Sequence, residues 1–298
     1  MKREPLFRGS GVALVTPFDD EGVNESALRE LVRFHLEEGT DALVVCGSTG
    51  EAATMTPGEQ ERAVAVVAGE AAGAIPVVAG CGGSDTAQVS RLAEGAKRAG
   101  ADALLLSAPP YNKPPQRGLL AHFRAVMDAG ELPAILYNVP GRTAVGLHPE
   151  TVAELADDDR VVGVKEACGD LSQIADLAAL VGDRIALWSG NDDQILPILS
   201  LGGQGVISVL GNVAPADTSR MVHAYLGGDT ATATALQLRY LPLIRALFRV
   251  SNPIPVKALT GWLGFDVGPV RLPLVPLSDA EHEGLVRVAR EAGLAPRS

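Results

Sequence analysis

Lys165 stands inside a short apolar run, Val161-Val-Gly-Val-Lys165-Glu-Ala, and the chain has only five lysines. An ammonium group in such a run is costly unless it is paired or neutralised. Desolvation lowers a lysine pKa from about 10.4 toward neutrality. The neutral amine can then attack a carbonyl and form a Schiff base. A lysine at a strand end can equally lay its stem along apolar surface and keep its head in water. Tyr137 and Arg142 follow in Tyr137-Asn-Val-Pro-Gly-Arg142-Thr143. The tyrosine is a proton-transfer group or a packing aromatic, and the arginine an anion anchor or a solvated loop charge. Gly47-Ser48-Thr49-Gly50-Glu51 is a plain tight turn or a cradle of N–H groups and hydroxyls for a carboxylate. Pro109-Pro-Tyr111 and Ser189-Gly190-Asn191 end two further apolar runs, and Ser208 among its glycines is a phosphate nest only as the less favoured reading. Taken jointly, a buried-type lysine, a tyrosine, two hydroxyls and an arginine describe a Schiff-base site for an oxo acid.

These residues must be brought to one rim. Strands are expected at Gly11–Phe18, Ala42–Gly47, Pro76–Cys81, Ala103–Ala108, Pro133–Val139, Val161–Ala167, Ile185–Gly190 and Gly205–Leu210. Helical periodicity fills the intervals: Asn24–Glu38 puts Leu28, Leu31, Val32 and His35/Leu36 on one face. Thr56-Pro-Gly-Glu59 reads as a cap, a proline at N1 and a glutamate at N3. Strands apolar on both faces, alternating with helices, predict a parallel sheet covered on its outside. Eight such units in roughly 225 residues fit a closed (β/α)8 TIM barrel, with its chemistry at the carboxyl ends of the strands. Alternation along the sixth strand puts Val161, Gly163, Lys165 and Ala167 on the inner face, and Val162, Val164 and Glu166 outside. Beyond Gly227-Gly-Asp229 the strands stop. Helices are expected over Thr230–Val250, Pro255–Leu263 and Ser278–Ala292, with Asn252-Pro-Ile-Pro255 breaking the first from the second. The domain reading is therefore 1–227, a barrel carrying the site, and 228–298, a C-terminal helical domain.

Composition narrows the function. The 298 residues are 47% hydrophobic and carry a net charge of −11, which speaks against a nucleic-acid or anionic membrane surface. Three scattered cysteines make no disulfide framework, and no CxxC or HExxH pattern supplies metal ligands. No G-x-G-x-x-G opens a helix after the first strand. No apolar window reads as membrane-spanning, and no signal-type stretch follows Met1-Lys-Arg-Glu-Pro-Leu-Phe7. The expected setting is a reducing cytoplasm.

The ordered motifs resemble the dihydrodipicolinate synthase / N-acetylneuraminate lyase family of pyruvate-dependent class I aldolases. They are Gly11-Val-Ala-Leu-Val-Thr-Pro-Phe18, Gly47-Ser-Thr-Gly-Glu51, Pro110-Tyr-Asn-Lys-Pro114, Tyr137-Asn-Val-Pro-Gly-Arg-Thr143, Val164-Lys-Glu-Ala167, Ser189-Gly-Asn-Asp192, Gly205-Val-Ile-Ser-Val209 and Asn252-Pro-Ile-Pro-Val-Lys257. Arg142 resembles the synthase branch, whereas Ser48-Thr49 stands where synthases usually carry Thr-Thr and is common among the lyases. The resemblance implies that Lys165 condenses with pyruvate and the enamine attacks L-aspartate semialdehyde, giving 4-hydroxy-tetrahydrodipicolinate for lysine and diaminopimelate biosynthesis. It implies Tyr137 as proton shuttle, linked through Ser48 to Tyr111 of the partner subunit. Thr49 would hold the pyruvate carboxylate and Arg142 that of the aldehyde, with Gly190 and Ile207 contributing backbone contacts. No metal or organic cofactor is implied, and the assembly that the resemblance implies is a homotetramer, a dimer of dimers. Relatives acting on sialic acid, 2-keto-3-deoxy sugar acids or hydroxy-oxoglutarate remain alternatives, as does a silent oxo-acid-binding barrel. Many family synthases are inhibited by L-lysine at the tight-dimer interface. Here the corresponding positions are Pro57, Gln60, Ser84, Gln88 and Pro110, and Gln88 lacks the carboxylate that the amines need, so inhibition is expected to be weak or absent.

Overall fold

The structure, a computed structural model, describes residues 3–297. Met1 and Lys2, which open the N-terminal stretch read above, lie outside the described residues, as does Ser298. Eight parallel strands close into a TIM barrel: β1 (Gly9–Ala13), β2 (Ala42–Val45), β3 (Val77–Cys81), β4 (Ala103–Ser107), β5 (Ala134–Asn138), β6 (Val161–Glu166), β7 (Ala186–Ser189) and β8 (Gly205–Ser208). Each pairs with its neighbour in sequence. β8 returns to β1 in a register running from Gly9 opposite Gly205 to Val12 opposite Ser208.

The apolar runs supply two faces. Ala13, Val44, Val78, Leu105, Ile135, Trp188 and Ile207 pack inside the barrel. Val12, Leu43, Val45, Ala79, Leu104, Leu136 and Val164 pack outward against the helices. Phe7, just ahead of β1, stacks on Trp188 with ring centroids 4.9 Å apart and fills the amino end of the barrel.

Two strand expectations are corrected. β1 starts at Gly9 and ends at Ala13 instead of spanning Gly11–Phe18. Past its end the chain is tied by side chains: Asn212 Oδ1 accepts from Val15 N at 3.0 Å, and Thr16 Oγ1 donates to Gly50 O at 2.7 Å. Phe18–Asp19 and Gly22–Val23 form an unexpected short hairpin. In β6 the register jumps from Val161 opposite Ala134 to Gly163 opposite Ile135, a bulge at Val162. Val161 therefore packs outward and Val162 against the inner cluster, the reverse of simple alternation.

The helices are α1 (Glu25–Glu37), α2 (Pro57–Ala71), α3 (Thr86–Arg98), α4 (Gln116–Gly130), α5 (Pro140–Thr143), α6 (Pro149–Leu155), α7 (Leu171–Val181), α8 (Ile195–Ser200) and α9 (Pro215–Leu226). α2 opens on the expected capping box between Thr56 and Glu59. After β8 and α9 come α10 (Thr230–Leu247), α11 (Ile254–Trp262) and α12 (Asp279–Glu291), with no strand between them. Leu236, Leu243 and Leu259 of these helices join the core cluster outside the barrel. Tyr240 donates its hydroxyl to Asp217 of α9 at 2.6 Å.

His35, in the last turn of α1, is fully buried and its Nδ1 lies 3.0 Å from Thr40 Oγ1. Burial pulls its pKa down to about 3, so it is neutral in the fold. In the unfolded chain it binds a proton below about 6.5. The folded pKa is depressed, so this stability is complete above about 6.5 and falls by roughly 1.4 kcal/mol per pH unit down toward the folded value. Denaturant melts of His35→Gln between pH 6.5 and 4.5 are expected to show a shallower loss than the parent. Parallel slopes refute the assignment.

Candidate active site

Lys165 is the penultimate residue of β6 and is only 5% exposed, inside the carboxyl end of the barrel. The bulge at Val162 leaves its inward direction unchanged. Beneath it is Gly163, where a Cβ would run into the ring of Trp188, so only glycine fits under the lysine. On β5, Tyr137 lies in register with Lys165, and Lys165 Nζ is 4.4 Å from the centre of the phenol ring. A Cβ on Gly190 would come within 3.1 Å of Lys165 Cε and 2.8 Å of Ala167 Cβ, so this position keeps the amine's surroundings clear. Ile207 is a buried inner-face residue of β8.

The electrostatics suit a nucleophilic amine. Burial brings the Lys165 pKa down to about 7, with Asp192 pulling up and Arg142 adding to the depression. Burial pushes Tyr137 up to about 12, so it keeps its proton at neutral pH and stands as a donor. Lys165 is thus largely able to exist as a free amine beside a protonated phenol.

The 47–51 turn forms the rim over β2. Gly50 is held through its carbonyl by Thr16, and Glu51 adopts a left-handed conformation with φ 57°. Ser48 is exposed, whereas Thr49 is only 3% exposed and its Oγ1 accepts from Asn252 Nδ2 at 2.9 Å. Arg142, on the short helix α5, is exposed and donates through Nη2 to the carbonyl of Asn252 at 3.0 Å. Lys165, Tyr137, Gly190 and Ile207 thus gather inside the mouth, and Thr49 and Arg142 meet at Asn252. Tyr111 stands apart. It is 91% exposed, with φ 73°, on a loop tied down where Ser84 Oγ donates to Pro110 O at 2.9 Å.

The phosphate nest at Ser208 is corrected. Its donors are already engaged: Val209 N and Leu210 N donate to Asp192 Oδ2 at 3.0 and 2.9 Å, and Ser208 Oγ donates to Oδ1 at 2.5 Å. A buried carboxylate fills the place of an anion. Asp192 went unrecognised in the sequence because it follows Ser-Gly-Asn as one more loop acid. In the sequence Asn252 stands as a helix breaker and, like Glu51 and Lys257, as a motif letter. The last two are joined by a buried ion pair of 2.7 Å.

Among the described residues no group of three or more His, Cys, Asp or Glu is placed to hold a metal ion. No described helix is long and apolar enough to cross a membrane. A separate cavity of about 320 Å³ lies between α2 and α3, lined by Pro57, Gln60 and Gln88 together with Cys46, Cys81 and Arg91.

Residues 6–292 match the model of the Dihydrodipicolinate synthetase family. The chain is 51% identical over 291 residues to the 4-hydroxy-tetrahydrodipicolinate synthase of Thermoanaerobacter sp. strain X514, covering 97% of this chain and 98% of that one. It is similar to the chloride-inhibited dihydrodipicolinate synthase from Acinetobacter baumannii complexed with pyruvate. That structure has a TM-score of 0.93 and 40% identity, over 97% of this chain and 99% of that one. It is also similar to the lysine-bound enzyme from Cyanidioschyzon merolae, with TM-score 0.94 and 38% identity over 98% of this chain and the whole of that one. With its barrel, its inward lysine and a match along almost its full length, the chain belongs to the dihydrodipicolinate synthetase family.

Proposed function

We propose that this protein is a 4-hydroxy-tetrahydrodipicolinate synthase, condensing pyruvate with L-aspartate semialdehyde. The observation that carries the reading is the Lys165 amine, buried with its pKa near 7 and 4.4 Å from the Tyr137 ring. Half-identical relatives of that name support the choice of substrates. The neutral amine adds to the keto carbon of pyruvate, and water leaves to give an iminium. Loss of a methyl proton gives the enamine, whose carbon attacks the aldehyde. The substrate's own amine then displaces Lys165 and closes the ring. Tyr137 donates and takes back the protons, relayed through Ser48 to Tyr111 of the partner subunit. Thr49 and the N–H groups of its turn hold the pyruvate carboxylate, and Arg142 holds that of the aldehyde, a task suited to a guanidinium. Gly190 and Ile207 border the pyruvate. Borohydride trapping with pyruvate, followed by assays with each family aldehyde, tests this. No mass increase on Lys165 leaves a binding barrel, and faster turnover with a sugar acid moves the enzyme to another branch.

Tyr111, Leu272 and Val275 are exposed large side chains on loops, Leu171 and Leu180 are exposed on α7, and Leu201 follows α8. These exposed apolar side chains support a homotetramer built as a dimer of dimers, in which Tyr111 completes a neighbour's site. The division at 227/228, a barrel followed by a helical domain, belongs to the same reading. Three free cysteines, two of them buried, fit a reducing cytoplasm.

Tyr137→Phe is expected to keep the fold and to lower turnover by about 10² to 10⁴, the usual worth of a positioned proton-transfer group. Near-normal turnover reduces Tyr137 to packing. Free L-lysine is expected to inhibit weakly, because Gln60 and Gln88 bring no charge to the cavity they line and its carboxylate, Glu61, is already paired with Arg98. In a lysine titration, half-inhibition below about a millimolar, or roughly 4 kcal/mol of binding, contradicts this.

A further inference from the structure

A threonine hydroxyl has one proton and two lone pairs. It helps a carboxylate only when the proton faces the substrate. Something must therefore fix the rotor of Thr49, and this inference rests on the reading above that Thr49 receives the pyruvate carboxylate.

Asn252 Nδ2 donates to Thr49 Oγ1 at 2.9 Å from a residue 203 positions further along the chain. An amide NH2 is a donor only. A hydroxyl that accepts there must turn its own proton elsewhere. Thr49 and Asn252 are 3% and 5% exposed, so bulk water does not compete for the contact. The Oδ1 of Asn252 is buried with no partner, so among the described residues the amide's one hydrogen bond is the one it donates to Thr49. The backbone of the same residue is fixed: its carbonyl accepts from Arg142 Nη2 at 3.0 Å, and Ile254 N donates to Ser251 O at 3.0 Å across the turn. The residue touches one anion anchor with its side chain and the other with its main chain.

We infer that Asn252 is a positioning residue for pyruvate: its amide locks the Thr49 hydroxyl as a donor aimed at the substrate carboxylate. The segment between α10 and α11 thereby sets the polarity of a group on the turn after β2.

The test is Asn252→Asp with Thr49→Val and the double variant. An aspartate of nearly the same shape accepts only. The Thr49 proton turns toward it, and lone pairs face the substrate. The KM for pyruvate is expected to rise about 10- to 100-fold, the range for losing a hydrogen bond to a charged group. Thr49→Val raises it comparably. The KM for the aldehyde moves less than that for pyruvate, because the Arg142 contact is to the main chain. Adding Asn252→Asp to Thr49→Val then changes the pyruvate KM little further. An unchanged pyruvate KM in Asn252→Asp overturns the inference. So does an equal penalty with and without the threonine hydroxyl, which makes the effect one of charge or packing. If Asn252→Asp melts out, Asn252→Ala carries the same cycle: its effect on pyruvate KM must vanish in the Thr49→Val background. Borohydride trapping of the parent keeps the two readings apart. A parent that forms no pyruvate adduct fails the proposed function itself, whereas a trapped parent with no coupling between 49 and 252 fails only this inference.

Discussion

Lys165→Ala is expected to form no pyruvate adduct under borohydride and to lose turnover by at least about 10⁴, because the covalent route itself is removed. Among the described residues the geometry leaves no substitute amine. Lys257, the other buried lysine, is held by Glu51 and by Pro269 O at 2.7 and 2.9 Å. Lys165→Arg is expected to be as inactive, since a guanidinium stays protonated. The parent enzyme should show the other half of the argument. With the pKa near 7, trapping of pyruvate at subsaturating concentration falls about tenfold per pH unit well below that value, as the amine becomes ammonium. The same depressed pKa has a sign for stability. The unfolded lysine keeps its proton up to about 10.4, so at neutral pH the fold gives up free energy to hold a neutral amine. Lys165→Met is therefore expected to melt higher than the parent while being inert, a trade of stability for function. Substantial condensation by a purified Lys165→Ala protein refutes the assignment, and a lower melting point for Lys165→Met removes the electrostatic account.

How far the site was legible depended on the range of the interactions. The strands from β2 to β8 fall within one or two residues of their apolar runs, because a strand buried on both faces leaves an uninterrupted signal. β1 does not, since Leu14 N still donates to Val44 O, but Val15 and Thr16, just as extended, pair with Asn212 and Gly50 instead of a full ladder. The bulge at Val162 has no residue signature, for valine fits either face, and only the register across β5 and β6 reveals it. Lys165, Tyr137 and Gly163 were readable because period-two alternation is local. Asn252 with Thr49, and Lys257 with Glu51, were not, because their partners lie 203 and 206 residues apart. Asp192 was hidden differently. Its capture of the Ser208 hydroxyl and two amides is what leaves the less favoured phosphate nest already occupied.

Lys257→Met is expected to destabilise the protein by about 3–5 kcal/mol, the usual consequence of removing one partner of a buried ion pair. Lys257 Nζ and Glu51 Oε1 are 2.7 Å apart, with side chains 2% and 0% exposed. Burial pulls Lys257 below the ordinary lysine range, and Glu51 opposes that shift. The ammonium also lies 4.2 Å from the centre of the Phe18 ring, which carries the Arg271 guanidinium at 3.8 Å. Glu51 accepts from Arg271 N at 2.9 Å through its other oxygen. Once the lysine is gone, that single amide is all that faces a desolvated carboxylate. The damage should reach the chemistry, because Glu51 ends the turn that carries Ser48 and Thr49 and holds its left-handed φ of 57° only while anchored. Pyruvate KM is expected to rise alongside the loss of stability. The double variant Glu51→Gln/Lys257→Met removes both charges and should recover part of the stability that either single change loses, since the penalty is for an unpaired charge rather than a missing contact. Strictly additive losses in denaturant melts would mean the two residues act separately. A Lys257→Met protein of parental stability and pyruvate KM would mean that the C-terminal helices merely cover the barrel mouth without holding its substrate-binding turn.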